Sequence, residues 1–166
     1  MKRFLAGLAG AAAMWSGSAL AAPADDAAVV AQVERFFGAM KAKDVAALQA
    51  ILLPDAMLTS QRVRPEGTTL ARFPGQAWAA DIVKAPDIEE RMWDPVVMRR
   101  GRIAMVWAPY EFLRDGKVTH CGVDVFDLVQ GDDGGWRIAH LMWTQEPQGC
   151  AELKAARNAP LKKTPL

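Results

Sequence analysis

The sequence predicts an α+β domain in which helices come first and an antiparallel run of strands follows, with the helices packed on one face of a bent sheet. Three observations carry this prediction. Val29, Val33, Phe36, Phe37 and Met40 recur at spacings of three and four, the period of a helix with one buried face. From Ile88 onward the period changes to two, as in strands whose side chains alternate between faces. Arg100-Gly101 and Asp115-Gly116 punctuate that second half, and such dipeptides suit two-residue hairpin turns because glycine accepts positive φ.

The elements follow in order. Met1-Lys2-Arg3, the apolar run Phe4 to Trp15 and the small residues Ser18-Ala19-Leu20-Ala21 have the layout of a secretory signal peptide over residues 1–22, cleaved after Ala21 or Ala22. The run is shorter than the ~20 residues that span a bilayer, so no membrane span is expected after cleavage. Residues 23–150 form the expected domain. Its first helix covers Ala24 to Lys43, with Asp25 or Asp26 as cap. Asp44 caps a second helix through Leu48 and Leu52, ended by Pro54. Ala56 to Arg64 is a strand, Pro65-Glu66-Gly67 a turn, and Thr68 to Arg72 its partner. Pro74 starts a third helix through Trp78 and Ile82. Four strands follow: Ile88 to Met98, Ile103 to Leu113, Lys117 to Val129 and Trp136 to Gln145. Residues 151–166 make a tail whose end, from Ala155, is expected to fray.

Composition narrows the function classes. The 166-residue chain carries a formal net charge of +1. Removing Lys2 and Arg3 leaves −1, with no basic stripe of the kind that binds a nucleic-acid backbone. Cys121 and Cys150 are the only two cysteines. In an oxidising compartment the pair is expected to form a disulfide, the alternative being one buried and one exposed thiol. There is no glycine-rich phosphate loop, nucleophile elbow or dinucleotide fingerprint.

Hairpin register assigns the polar residues to faces. A tight turn at Asp115-Gly116 places Glu111 opposite His120, Pro109 opposite Gly122 and Trp107 opposite Asp124. A tight turn at Arg100-Gly101 places Asp94 opposite Trp107 and Glu90 opposite Glu111, unless a bulge at Pro95 shifts them. His140 and Met142 join the same face through the longer Gly131–Gly135 loop. The expected result is one mixed face bearing Asp94, Trp107, Glu111, His120, Asp124, His140 and Met142. The other face, with Tyr110 and Cys121, is almost wholly apolar. A buried charge is costly unless paired, so this strand, His120-Cys121-Gly122-Val123-Asp124, is the centre of the functional reading.

Asp124 and His120 are the candidate catalytic pair, because burial raises a carboxylate pKa and lowers that of histidine toward values suited to proton transfer. Trp107, Glu111, Asp94, His140 and Met142 are the candidate ligand-pocket residues. The competing reading is a structural network joining His120 to Glu111 and Asp124 to Trp107. The two histidines lack a recognised metal-ligand spacing, so neither a metal nor another cofactor is expected.

Trp93-Asp94-Pro95, Ala104 to Tyr110, Asp115-Gly116-Lys117, His120-Cys121-Gly122-Val123-Asp124 and Gly135-Trp136-Arg137-Ile138 resemble an exported bacterial branch of the nuclear transport factor 2-like superfamily, the SnoaL-like group. The resemblance covers Asp25 to Cys150 and implies a cone-shaped fold of cystatin-like type: a strongly curved antiparallel sheet wraps the N-terminal helices and leaves a pocket at its open end. It also implies a homodimer. Relatives include steroid isomerases, dehydratases and polyketide cyclases. The isomerases' trio of carboxylate base, tyrosine and protonated acid does not map onto the register above, where Tyr110 faces away from Asp124. The expectation is therefore an exported, periplasmic or secreted domain that binds a small, partly apolar molecule. A cofactor-independent lyase or isomerase and a dimerising interaction domain are the alternatives.

Overall fold

The computed structural model describes residues 23–157. The signal-peptide assignment and the end of the tail lie outside the described residues. Helix α1 (Pro23–Ala42) turns Val29, Val33, Phe36, Phe37 and Met40 inward. It starts at Pro23, so Asp25 and Asp26 lie in its first turn rather than at its cap, and Asp26 pairs with Arg99 at 3.2 Å. Helix α2 (Val45–Ile51) is capped by Asp44, whose carboxylate accepts from the Ala47 amide at 2.9 Å. Strand β1 (Leu52–Arg64) begins directly after it, earlier than the sequence pattern suggests, and β2 (Gly67–Pro74) pairs with it. Helix α3 (Gly75–Asp81) and a 3-10 turn (Ile82–Lys84) follow. Among the described residues, no helix is long and apolar enough to cross a membrane.

The second half is the expected meander with one interruption. β3 (Ile88–Met92) and β4 (Val96–Arg100) replace a single strand. Asp94 sits between them in the left-handed region, with φ 44°, and Pro95 cannot donate to a ladder. Both segments pair with β5 (Ile103–Arg114). β6 (Lys117–Gln130) and β7 (Trp136–Gln145) complete the sheet. Asp115 and Gly116 both have positive φ, 50° and 71°, as a tight hairpin turn of the primed type requires.

The sheet order is β2-β1-β7-β6-β5-β3, with β4 also on β5. The β1–β7 contact is parallel. The sheet is thus mixed, curved and unclosed rather than wholly antiparallel. Its inner face and the helices share one core. Phe36, Phe37 and Phe126 meet edge to face at 5.7–6.0 Å, and Leu58, Val106, Leu128 and Ile138 surround them, fully buried. Each large side chain buried there contributes roughly 1.5–3 kcal/mol.

Residues 151–155 of the expected tail continue a short helix, α4 (Cys150–Ala155). The Cys121–Cys150 disulfide ties it to β6, with 4.9 Å between Cα atoms. Closing a loop of 29 residues stabilises the fold by about 3.6 kcal/mol in the chain-entropy account. Lys154 reaches Glu111 at 2.6 Å, and the Arg157 guanidinium lies 5.9 Å from the centre of the Trp93 ring. The outer face of the sheet is therefore partly covered at this end.

Candidate functional site

Two bulges decide which side chains enter the cone. On β6, Thr119 is an extra residue: Leu113 faces Val118, while Phe112 faces His120. On β7, Ala139 is extra: Leu128 faces Ile138, while Asp127 faces His140. One residue of slip moves a whole strand's pattern to the opposite face. Ala108 is consequently opposite Asp124, Tyr110 opposite Gly122, and Glu111 opposite Cys121. The irregularity at Asp94 acts likewise on β3, placing Glu90 beside Phe112 instead of Glu111.

The inner face therefore carries Glu90, Tyr110, His120 and Asp124 together. They line a cavity of about 230 Å³ whose apolar walls include Phe36, Met40, Trp78, Ile82, Leu141 and Trp143. Asp124 is only 2 % exposed, and its Oδ2 has no hydrogen-bond donor among the described residues. A buried carboxylate without donors is strongly disfavoured. Burial, then the charge and hydrogen bond of Glu90, push the Asp124 carboxyl well above the usual carboxylate range. Burial also raises Glu90, to about 7, while its hydrogen bond with Asp124 works in the opposite sense. The two carboxyl groups are coupled, and burial holds both above the ordinary carboxylate range. Such a pair titrates as a unit.

Tyr110 reaches this cavity because residue 122 is glycine. A Cβ there would stand 2.1 Å from the Thr144 carbonyl oxygen and 2.8 Å from the Tyr110 ring. The open space lets the Tyr110 hydroxyl donate to that carbonyl at 2.5 Å. Thr144 Oγ1 in turn accepts from the Val123 amide at 3.0 Å and donates to Glu146 at 2.6 Å. Burial and the nearby carboxylates raise the Tyr110 pKa strongly, so the phenol stays neutral with its proton engaged.

His120 lies four residues from Asp124 along β6, about 13 Å at the usual strand rise. Its ring stacks on Phe112 at 5.0 Å, and Nδ1 lies 3.0 Å from Thr119 Oγ1. Burial and then the positive charges of Arg62 and Arg114 lower its pKa to about 4. The imidazole is neutral at the cavity mouth, and Asp124's partner is Glu90. The expected Asp124–His120 couple is thus replaced by an Asp124–Glu90 couple.

The other expected pocket residues stand outside. Trp107 is 41 % exposed on the outer face, opposite Val125, and Met142 is 44 % exposed there. His140 meets Asp127 at 3.6 Å and Thr59 at 3.3 Å on that face. Glu111 pairs with Lys154, as well as with Arg91 at 3.6 Å. Asp94 occupies the exposed break between β3 and β4. None of the five lines the cavity. Glu90 was missed although a signal existed: Ile88, Glu90 and Met92 alternate, so a carboxylate occupies the apolar register of its strand. No group of three metal-ligating side chains gathers among the described residues.

No protein-family profile matches the sequence, and no curated protein matches it. Solved structures do. A protein of unknown function with a cystatin-like fold from Nostoc punctiforme superposes with a TM-score of 0.61 at 10 % identity, over 76 % of this chain and 95 % of its own. A nuclear transport factor 2-like protein from Salmonella enterica gives 0.59 at 12 % identity, over 86 % and 98 %. A candidate dehydratase of the nuclear transport factor 2-like family from Streptomyces avermitilis gives 0.56 at 16 %, over 74 % and 96 %. At these identities the likeness establishes the nuclear transport factor 2-like, cystatin-like fold.

Proposed function

We propose that this nuclear transport factor 2-like domain binds a small, partly apolar molecule inside its cone, with a polar group of the ligand at the Glu90–Asp124 pair. The observation that carries the reading is a pair of carboxyl side chains, Glu90 and buried Asp124 with its unpartnered Oδ2, lining a cavity with largely apolar walls. Carboxylates whose charge is suppressed by desolvation are typical of working sites, and concave apolar pockets with a few convergent polar groups are typical ligand sites.

The test uses 1-tetralone, a neutral aromatic ketone, followed by NMR on the indole N–H signals. Trp78 and Trp143 line the cavity, whereas Trp107 stands on the outer face. Ketone binding is expected to shift the first two signals and leave Trp107 in place. Movement of Trp107 alone would reject the cavity as the site.

A second reading, cofactor-independent isomerase or lyase chemistry, draws support from the same pair. Glu90 as carboxylate would take a proton from the carbon next to a ligand carbonyl. Asp124 would give its proton to the carbonyl oxygen, leaving a neutral enol. His120 has no part in this step. In heavy water, 1-tetralone should take up deuterium at that carbon with the native protein and not with Glu90→Gln or Asp124→Asn. No uptake with the native protein would leave binding without catalysis.

Export to the periplasm or outside the cell is part of the proposal. Its support is the leader-like sequence of residues 1–22 and the Cys121–Cys150 bridge, which suits an oxidising compartment. Exposed Met98, Ile103, Trp107 and Met142 likewise support a homodimer through the outer face. Native mass spectrometry of the protein from its own host reads the mature mass, the dimer and any bound ligand together.

A further inference from the structure

We infer that the ligand is an amphipathic carboxylic acid, its apolar body inside the cone and its carboxylate held at the mouth by Arg62 and Arg114. This rests on the cavity reading above and deepens it.

The cavity does not end at His120. A second, polar hollow of about 300 Å³ lies outside it, lined by Arg62, Arg64, Arg114, Thr119, His120 and Gln145 among others. Arg62, Phe112, Arg114, His120 and Gln145 line both spaces, so the inner cavity continues into a cationic vestibule. The charges there are poorly compensated. Arg64 has only a loose contact with Glu66, at 3.9 Å. Arg62 uses Nε to donate to the neutral Gln145 carboxamide at 2.6 Å. Its two terminal nitrogens have no hydrogen-bond acceptor among the described residues, and Arg114 has no ion pair there. A guanidinium with both terminal N–H groups open matches a carboxylate bidentately.

The two polar clusters of the cavity impose an orientation. The Glu90–Asp124 pair carries negative charge whenever it holds a single proton, so it repels an anion. The mouth attracts one. His120 reports that field: after burial, the charges of Arg62 and Arg114 depress its basicity, and those are the charges a bound carboxylate would neutralise. A neutral imidazole beside two guanidinium groups also adds no competing negative charge.

The experiment compares 3-phenylpropionate with its uncharged analogue 3-phenylpropionamide by calorimetry, and follows His120 by NMR. The acid should bind about tenfold more tightly than the amide, a difference of one decade in Kd. Added salt should shrink that preference. Arg62→Gln and Arg114→Gln should each bring it towards unity. Arg102→Gln, which removes the same charge at the far end of β5, where Arg102 pairs with Asp132, should preserve it. Saturation with the acid should raise the His120 pKa above about 4 by offsetting the arginine charges, while burial keeps it below its ordinary value, and saturation with the amide should not raise it. Equal binding of acid and amide would overturn carboxylate recognition while leaving the cavity as a ligand site. Preference lost equally in Arg102→Gln would overturn it too, by showing an effect of net charge alone. If neither probe bound, the cavity reading would fail and this inference with it.

Discussion

The inner and outer faces of the sheet hold the same kinds of side chain in opposite states. Glu89 points outward, where the hydrogen bond from Arg91 and then that from Lys41 hold its carboxyl down to about 2. Glu90, the next residue, points inward, where burial holds it up at about 7. On the outer face and at the hairpin tips ionised groups find opposite charges: Glu111 with Lys154, Arg137 with Asp133, Arg102 with Asp132. On the inner face a carboxyl finds only another carboxyl. The outer arrangement is ordinary surface electrostatics and stabilises little. The inner one costs stability, and such a cost is characteristic of sites that bind or react.

The largest expected contrast between the faces is in packing. Phe126→Ala should lower unfolding stability by about 3–5 kcal/mol, since it removes the ring that Phe36 and Phe37 both meet. Trp107→Ala, although it deletes a larger ring, should cost less than about 1 kcal/mol because that ring is 41 % exposed. Chemical denaturation of both variants as monomers tests the assignment. A costly Trp107→Ala with a mild Phe126→Ala would reverse the faces.

The next effect is on pH dependence. In the unfolded chain Glu90 and Asp124 release protons near the ordinary value of about 4. In the folded chain both hold protons to higher pH, Glu90 to about 7. Between those values the folded state binds more protons, so stability falls as pH rises. From about pH 5 to about pH 8 the native protein should lose on the order of 2 kcal/mol, a low figure because Glu90 keeps some contact with water through the cavity. The double variant Glu90→Gln/Asp124→Asn should lose this slope and be the more stable form at the upper end. Urea unfolding across that range measures it, and parallel curves would show that the pair is not proton-sharing.

The smallest effect belongs to the outer face. Lys154→Ala removes the 2.6 Å contact with Glu111 and should change stability by less than about 1 kcal/mol, increasingly masked by salt. A larger loss, insensitive to salt, would mean that α4 is held by more than its disulfide and surface charge.

Much of this architecture was legible in the chain. The helical period from Val29 to Met40, the Asp44 cap, the Asp115-Gly116 turn and the Cys121–Cys150 pairing follow from local chemistry, and the structure has each of them. The cavity's address was legible as well: Asp124 and His120 both face it. Their companions were not. Counting residues back from a tight turn assumes an unbroken ladder, and Thr119 breaks it three residues into β6. The count therefore puts Trp107 and Glu111 on the face of Asp124 and Tyr110 on the other, whereas Tyr110 shares the face of Asp124 and Trp107 and Glu111 do not. Ala139 did the same to His140 and Met142. Neither residue type marks a bulge by itself, since both are ordinary in strands. The parallel β1–β7 contact was equally hidden, because it joins segments far apart in sequence and no hairpin turn signals it.

The sequence alone determined which segments are helical and which extended, where the hairpins turn, and that a strand bearing His120 and Asp124 would run through the middle of the sheet. Local propensity and periodicity act over a few residues, so a few residues suffice to read them. Tertiary structure decided which face each polar residue occupies, that Glu90 rather than His120 is the partner of Asp124, and that Arg62 arrives at the mouth from a strand near the opposite edge of the sheet. Those outcomes depend on single-residue shifts in register and on pairings between distant segments. Their energies are settled by what the whole inner face can bury, which no local stretch of sequence contains.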